Sequence, residues 1–123
     1  RLSEDLDGSG IPKADLIIEA IYENLEAKKE LYKKVELNMK PTAILATNTS
    51  SILLEDLRAD LMQPKKFIGL HFFNPVSQLP LVEIISCSDT DTNTLQRGFN
   101  FVKKISKSPL LCKSSEGFIV NRI

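Results

Sequence analysis

The sequence has no tryptophan, one histidine, two cysteines and no long apolar run. A membrane-crossing helix needs about 20 consecutive apolar residues, so no transmembrane span is expected. Cys87 and Cys112 lie far from any metal-ligand spacing. They read as two free thiols in a reducing compartment, with a disulfide as the alternative. An excess of either charge is lacking too: 16 Lys and Arg face 16 Asp and Glu. With no basic block or stripe, a nucleic-acid surface is not expected, nor an anionic-membrane one. No signal peptide, internal repeat or low-complexity tract is read. The chain opens on Arg1 and stops on Asn121, Arg122 and Ile123 just after an apolar run. Both ends read as cut from something longer.

What is present suits a globular domain or part of one. The chain has 123 residues, 42% apolar and 26% charged, ordinary values for a folded protein. A chain of this length buries roughly two thirds of its unfolded surface. Residues 1–14 carry Gly8, Gly10 and Pro12 and read as loop. Residues 14–20 form a short run rich in branched aliphatics, the pattern of a buried strand. Asn24 then caps a helix with Ala27, Leu31 and Val35 on its core face and Leu25, Tyr32 and Met39 beside them. Lysines and glutamates are expected on its opposite face, and Pro41 stops it.

Further strands are expected at residues 43–47, 67–73 and 81–85, with a short strand at 110–113. A short helix is expected over 55–61. A longer helix opens at Thr90 or Asp91, with Leu95, Phe99, Val102 and Ile105 as its core stripe. Gly117 onward reads as the start of a last helix. Strands alternating with helices at this spacing imply βαβ units and a parallel sheet.

In open α/β sheets, ligands bind beyond the carboxyl ends of the strands. Three polar clusters fall there: residues 19–23, 48–51 and 71–74. Together they would line one crevice. His71 stands between Leu70 and Phe72. It is either a hydrogen-bonded core histidine or a general base, since imidazole titrates in the useful range. Glu83 is either a solvent-facing strand residue or a carboxylate that fixes one tautomer of the imidazole. Ser50 either satisfies backbone groups of its turn or donates to a substrate oxygen. Asn121 is either an exposed helix residue or an amide that binds the polar part of a substrate. Lys28 by spacing alone belongs to a solvated helix face.

Three segments together resemble the 3-hydroxyacyl-CoA dehydrogenase family: Ile-Glu-Ala-Ile-Tyr-Glu-Asn-Leu at 18–25, Asn-Thr-Ser-Ser at 48–51, and His-Phe-Phe-Asn-Pro at 71–75 running on to Pro-Leu-Val-Glu-Ile-Ile at 80–85. Gly-Phe-Ile-Val-Asn-Arg at 117–122 resembles the family's junction with a helical C-terminal domain. The resemblance covers nearly all of residues 11–123. It implies the C-terminal half of a Rossmann-type NAD-binding domain, α/β, with a mainly parallel sheet and antiparallel pairing near the end. It also implies that the base is His71, with Glu83 as its partner. Ser50 and Asn121 would contact the 3-hydroxyacyl group. Ile21, Tyr22, Glu23, Lys28, Ser50 and Asn74 would line the NAD pocket. The reaction implied is oxidation of an L-3-hydroxyacyl-CoA to the 3-oxoacyl-CoA, a step of fatty-acid β-oxidation.

Glu116 departs from the family pattern, standing where a proline commonly precedes Gly-Phe. Glu55 stands where a serine or threonine usually caps the short helix. The larger departure is that no Gly-x-Gly-x-x-Gly occurs in the chain, the loop whose amides cradle a pyrophosphate. Residues 1–123 therefore read as a partial domain, without the phosphate-loop half and the helical domain. Alone, such a piece is expected to bind NAD weakly and turn over little. Its apolar sheet edge invites a homo-oligomer. A multifunctional parent would add a thiolase partner. The compartment expected is the bacterial cytoplasm or, in a eukaryote, mitochondrion or peroxisome. The competing expectation is a non-catalytic, crystallin-like structural or binding module of the same fold.

Overall fold

A computed structural model describes residues 8–49, 52–72 and 81–113. Among the described residues, five strands and three helices follow in the order β1 (Leu16–Glu19), α1 (Leu25–Asn38), β2 (Ile44–Thr47), α2 (Leu54–Arg58), β3 (Phe67–Phe72), β4 (Leu81–Ser86), α3 (Thr92–Lys104) and β5 (Ser108–Lys113). Single 3-10 turns at Ile11–Lys13 and Pro64–Lys66 precede β1 and β3.

The strands form one sheet in sequence order. β1, β2 and β3 run parallel, β4 runs antiparallel to β3, and β5 runs parallel to β4. This is the mainly parallel sheet with antiparallel pairing near its end that the sequence led us to expect. Helices cover both faces, which is why the central strands are apolar on both sides. Leu45, Phe67 and Ile85 point into a core with Tyr32 and Val35 of α1 and Leu54 and Leu57 of α2. The alternate residues Ile44, Ala46, Ile68, Leu70, Val82 and Ile84 pack on the other side with Val102 of α3. Cys87 and Cys112 are both free thiols. Among the described residues, no helix is long and apolar enough to cross a membrane.

The helix ends follow local chemistry. Asn24 accepts from the Ala27 amide at 2.8 Å and opens α1. Asp91, rather than Thr90, accepts from the Thr94 amide at 2.7 Å and opens α3. α2 has no such cap: Leu53 holds the position and offers no side-chain acceptor. Glu55 lies inside the first turn of α2 and not at its cap. At the end of α3, Lys107 N–H reaches Val102 O and Ser106 N–H reaches Lys103 O, both at 3.0 Å. This is the paired closing motif that favours a left-handed residue, and Ser106 supplies it at φ 65°.

Two helix faces differ from expectation. α1 buries Lys28, Tyr32 and Val35, while Leu25, Leu31 and Met39 are only partly buried. The stripe is rotated, and one lysine lies on it, because Lys28 has a buried partner described below. α3 buries Thr94, Gly98 and Val102, with Leu95, Phe99 and Phe101 flanking them and Ile105 exposed. Small residues, not large apolar ones, mark its line of closest approach. A Cβ on Gly98 would come within 2.9 Å of Ile68 Cδ1.

Two stability outcomes follow from the ends of α3. Asp91→Ala should cost about 1 kcal/mol in urea unfolding at pH 7. Contact with Thr94, through its side chain and then its amide, holds the Asp91 carboxyl below its ordinary value. That contribution is complete above about pH 4 and is lost as pH falls through the lowered native value. The gap between wild type and variant should therefore close in acid. Ser106→Gly should raise stability by up to about 1 kcal/mol, because a left-handed residue with a Cβ is strained. A drop on that substitution would contradict the strain.

Candidate active site

The antiparallel β3–β4 pairing sets His71 directly opposite Glu83. Opposed residues of such a pair project from the same face. Two side chains twelve positions apart therefore meet, and His71 Nδ1 lies 2.9 Å from Glu83 Oε1. Glu83 is wholly buried and the His71 side chain is 20% exposed. A carboxylate only accepts, so Nδ1 carries the proton and the ring's lone pair sits on Nε2. Glu83 Oε2 in turn accepts from the Cys112 thiol of β5 at 3.9 Å. A buried carboxylate with these partners fixes the imidazole's tautomer and orientation and stabilises an imidazolium. Glu83 is thus not a solvent-facing strand residue, and the pair has the geometry that a base and its orienting partner need.

The carboxyl ends of β1, β2 and β3 lie together on one side of the sheet, as parallel strands require. Asn48, just past β2, accepts from the Phe72 amide at 3.4 Å, beside His71. Thr49 donates its hydroxyl to Glu23, 2.9 and 2.8 Å from its two carboxylate oxygens, joining the end of β2 to the segment after β1. The described members of the three polar clusters read from the sequence, residues 19–23, 48–49 and 71–72, thus border one region. Tyr22 stands 71% exposed there, with Ile21 partly buried beside it. Ser50, Asn74 and Asn121 lie outside the described residues, as does Glu116.

Lys28 is not on a solvated helix face. It is 1% exposed, ion-paired with Glu19, and 3.4 Å from Glu23 Oε1. Glu19, at the end of β1, also accepts from the Tyr32 hydroxyl, from Thr47 Oγ1 at 2.6 Å and from the Ile21 amide at 2.9 Å. Burial and the Glu19 hydrogen bond push the Tyr32 hydroxyl well above its ordinary value, so it stays a donor. The sequence reading placed Glu19 in a crevice-lining cluster but foresaw no hydrogen bond or ion pair for Glu19, Tyr32, Thr47 or Cys112. One signal was available: Lys28, Tyr32 and Val35 fall at i, i+4 and i+7, which puts a lysine on an otherwise apolar stripe.

The sheet, with a histidine–carboxylate pair near its strand ends, has the form of part of a dinucleotide-binding α/β domain. The family profile described as "3-hydroxyacyl-CoA dehydrogenase, NAD binding domain" matches residues 1–115. The chain belongs to that family. It is 42% identical, over its whole length, to a probable 3-hydroxyacyl-CoA dehydrogenase of Caenorhabditis elegans, and spans 40% of that relative. Crystal structures show the same fold. A 3-hydroxybutyryl-CoA dehydrogenase from Escherichia coli K12 superposes with TM-score 0.86 at 39% identity, over 92% of this chain and 24% of its own. An (S)-3-hydroxybutyryl-CoA dehydrogenase from Ralstonia eutropha gives 0.86 at 38% identity, over 92% and 40%.

The residues present fit one portion of NAD, the cofactor of this family. The Glu23 carboxylate already accepts from one hydroxyl, that of Thr49, and is 38% exposed. That donor–acceptor chemistry suits a ribose hydroxyl. The glycine-rich loop that would hold a pyrophosphate does not occur in the sequence.

The Lys28 ion pair is testable apart from activity. Lys28→Met leaves Glu19 buried without its cation and should cost about 3–5 kcal/mol in urea unfolding. Lys29, paired with the exposed Asp60, should cost less than about 1 kcal/mol on the same substitution. Equal costs would show that the Lys28 pair is not buried as described.

Proposed function

We propose that this chain is the base-carrying part of an NAD-dependent 3-hydroxyacyl-CoA dehydrogenase, which oxidises L-3-hydroxyacyl-CoA to 3-oxoacyl-CoA in fatty-acid β-oxidation. The observation that carries the proposal is the 2.9 Å contact between His71 Nδ1 and Glu83 Oε1 at the strand ends. His71 takes the C3 hydroxyl proton on Nε2. Glu83 holds the ring in the tautomer that makes Nε2 the acceptor, and its charge stabilises the imidazolium that results. NAD, when bound, accepts the hydride that leaves C3. Ile21, Tyr22, Glu23 and Lys28 line the NAD pocket. Ser50 and Asn74 complete that pocket, and Ser50 and Asn121 contact the substrate, in the roles that the family resemblance implies for them.

A non-catalytic structural or binding module is the less favoured reading. A protein that had lost the reaction would have no need of a buried carboxylate aimed at its one histidine. The acyl-CoA substrate and a homo-oligomeric state belong to the proposal, as does a thiolase partner should the protein be multifunctional. Its compartment would be the bacterial cytoplasm, or the mitochondrion or peroxisome of a eukaryote. The segment alone, without a glycine-rich loop, should bind NAD weakly and turn over little.

The test is reduction of acetoacetyl-CoA by NADH in the full-length protein. His71→Ala should lower kcat by roughly 100- to 10,000-fold with KM little changed. Glu83→Gln should lower kcat as well, by roughly 100-fold or more. Full activity in the alanine variant would remove the base.

A further inference from the structure

The segment between β1 and α1 has no regular secondary structure, yet one of its residues, Ile21, has both its backbone N–H and its carbonyl held by buried side chains. Glu19 Oε2 accepts the Ile21 N–H at 2.9 Å, and Lys28 Nζ donates to the Ile21 carbonyl at 3.1 Å. Lys28 is also bonded to that same Glu19 oxygen. The other oxygen of Glu19 is anchored by the Tyr32 hydroxyl of α1 and the Thr47 hydroxyl of β2. One carboxylate thus locks two secondary-structure elements and the lip of the site into a single frame. Tyr22 and Glu23, the next two residues, are exposed.

We propose that Glu19 is a positioning residue for the cofactor. It holds residues 20–24 in the cofactor-receiving shape before the ligand arrives, and it keeps the Lys28 ammonium occupied. The inference rests on the dehydrogenase reading above. The charge arithmetic explains the second role. Glu19 and Glu23 share one cation, Lys28, which is bonded to Glu19 and stands 3.4 Å from Glu23. With Glu19 neutral, Glu23 is the carboxylate left to Lys28. The ammonium then closes onto Glu23 and removes an acceptor from the ligand's hydroxyls, while the Ile21 clamp loosens. Part of the binding energy would then go into ordering the lip again.

The experiment is calorimetric titration of NAD into full-length wild type and Glu19→Gln, a near-isosteric change that removes the charge. The dissociation constant should rise about tenfold in the variant, about 1.4 kcal/mol by conversion. KM for NAD should follow it, with kcat at saturating NAD within about twofold. Val102→Ala, a cavity beneath α3 in the other core cluster, should lower the melting temperature and leave NAD affinity unchanged. Wild-type affinity in Glu19→Gln would overturn the proposal, as would an equal affinity loss in Val102→Ala. Should Glu19→Gln fail to fold, amide exchange in the wild type decides. An Ile21 N–H protected like the amides of β2 supports the clamp, and exchange at the unprotected rate overturns it. Failure of the dehydrogenase reading looks different: the wild type then takes up no NAD, and both fall together.

Discussion

The register between β3 and β4 is the constraint on which the active-site geometry depends. Side chains alternate along a strand, so a slip of one residue would carry Glu83 to the opposite face of the sheet. The ladder that prevents it is apolar. Leu70 opposes Ile84 and Phe72 opposes Val82, on either side of the His71–Glu83 pair. Leu70, Val82 and Ile84 are all fully buried in the core beneath α3. A slip would move Val82 and Ile84 out of that core to the other face of the sheet and carry Glu83 into their place among apolar side chains. Apolar burial, which is non-directional, thereby fixes a directional hydrogen bond between two polar groups.

The two buried carboxylates show the same physics used for two ends. Burying an ionised carboxylate is costly unless it is paired and hydrogen-bonded. Glu19 meets that condition completely, with a cation, two hydroxyls and an amide. Glu83 meets it with an imidazole, whose charge appears only when it is protonated, and a thiol, a weak donor. The less fully compensated carboxylate is therefore the one beside the base. Glu83 orients the imidazole through that contact. Glu19, already satisfied, serves geometry.

Much of this was readable in the sequence, and the parts that were not share a cause. Short runs of branched aliphatics announced β1, β2, β3 and β4, because strands covered on both faces must be apolar throughout. Asn24 and Asp91 announced their helices by cap chemistry. His71 and Glu83 were legible as a pair through the motif that contains them. The buried faces of α1 and α3 were not. Lys28 lies on a core stripe only because Glu19, nine positions earlier on another element, is its partner. Thr94 and Gly98 lie on one because α3 packs close to Ile68. Periodicity counts apolar residues along one element. It does not see a tertiary partner that makes a lysine buriable, or a close approach that rewards having no side chain.

The positions of the two polar centres suggest why they divide the work. His71 and Glu83 straddle the antiparallel β3–β4 pair, where opposed side chains come close and a short contact can be built from the strands alone. Glu19 sits where a parallel strand ends and a loop must lead into a helix, so its hydrogen bonds run to loop and helix. A site assembled from strand register is stiff, which suits a base that has to meet one substrate proton. A site assembled at a strand-to-helix turn keeps its backbone groups within reach of a ligand, which suits binding. Changes at one centre should accordingly alter the chemical step and changes at the other the affinity. The parallel β2, which contributes Thr47 to one centre and leads into Asn48 beside the other, is the element through which the two are joined.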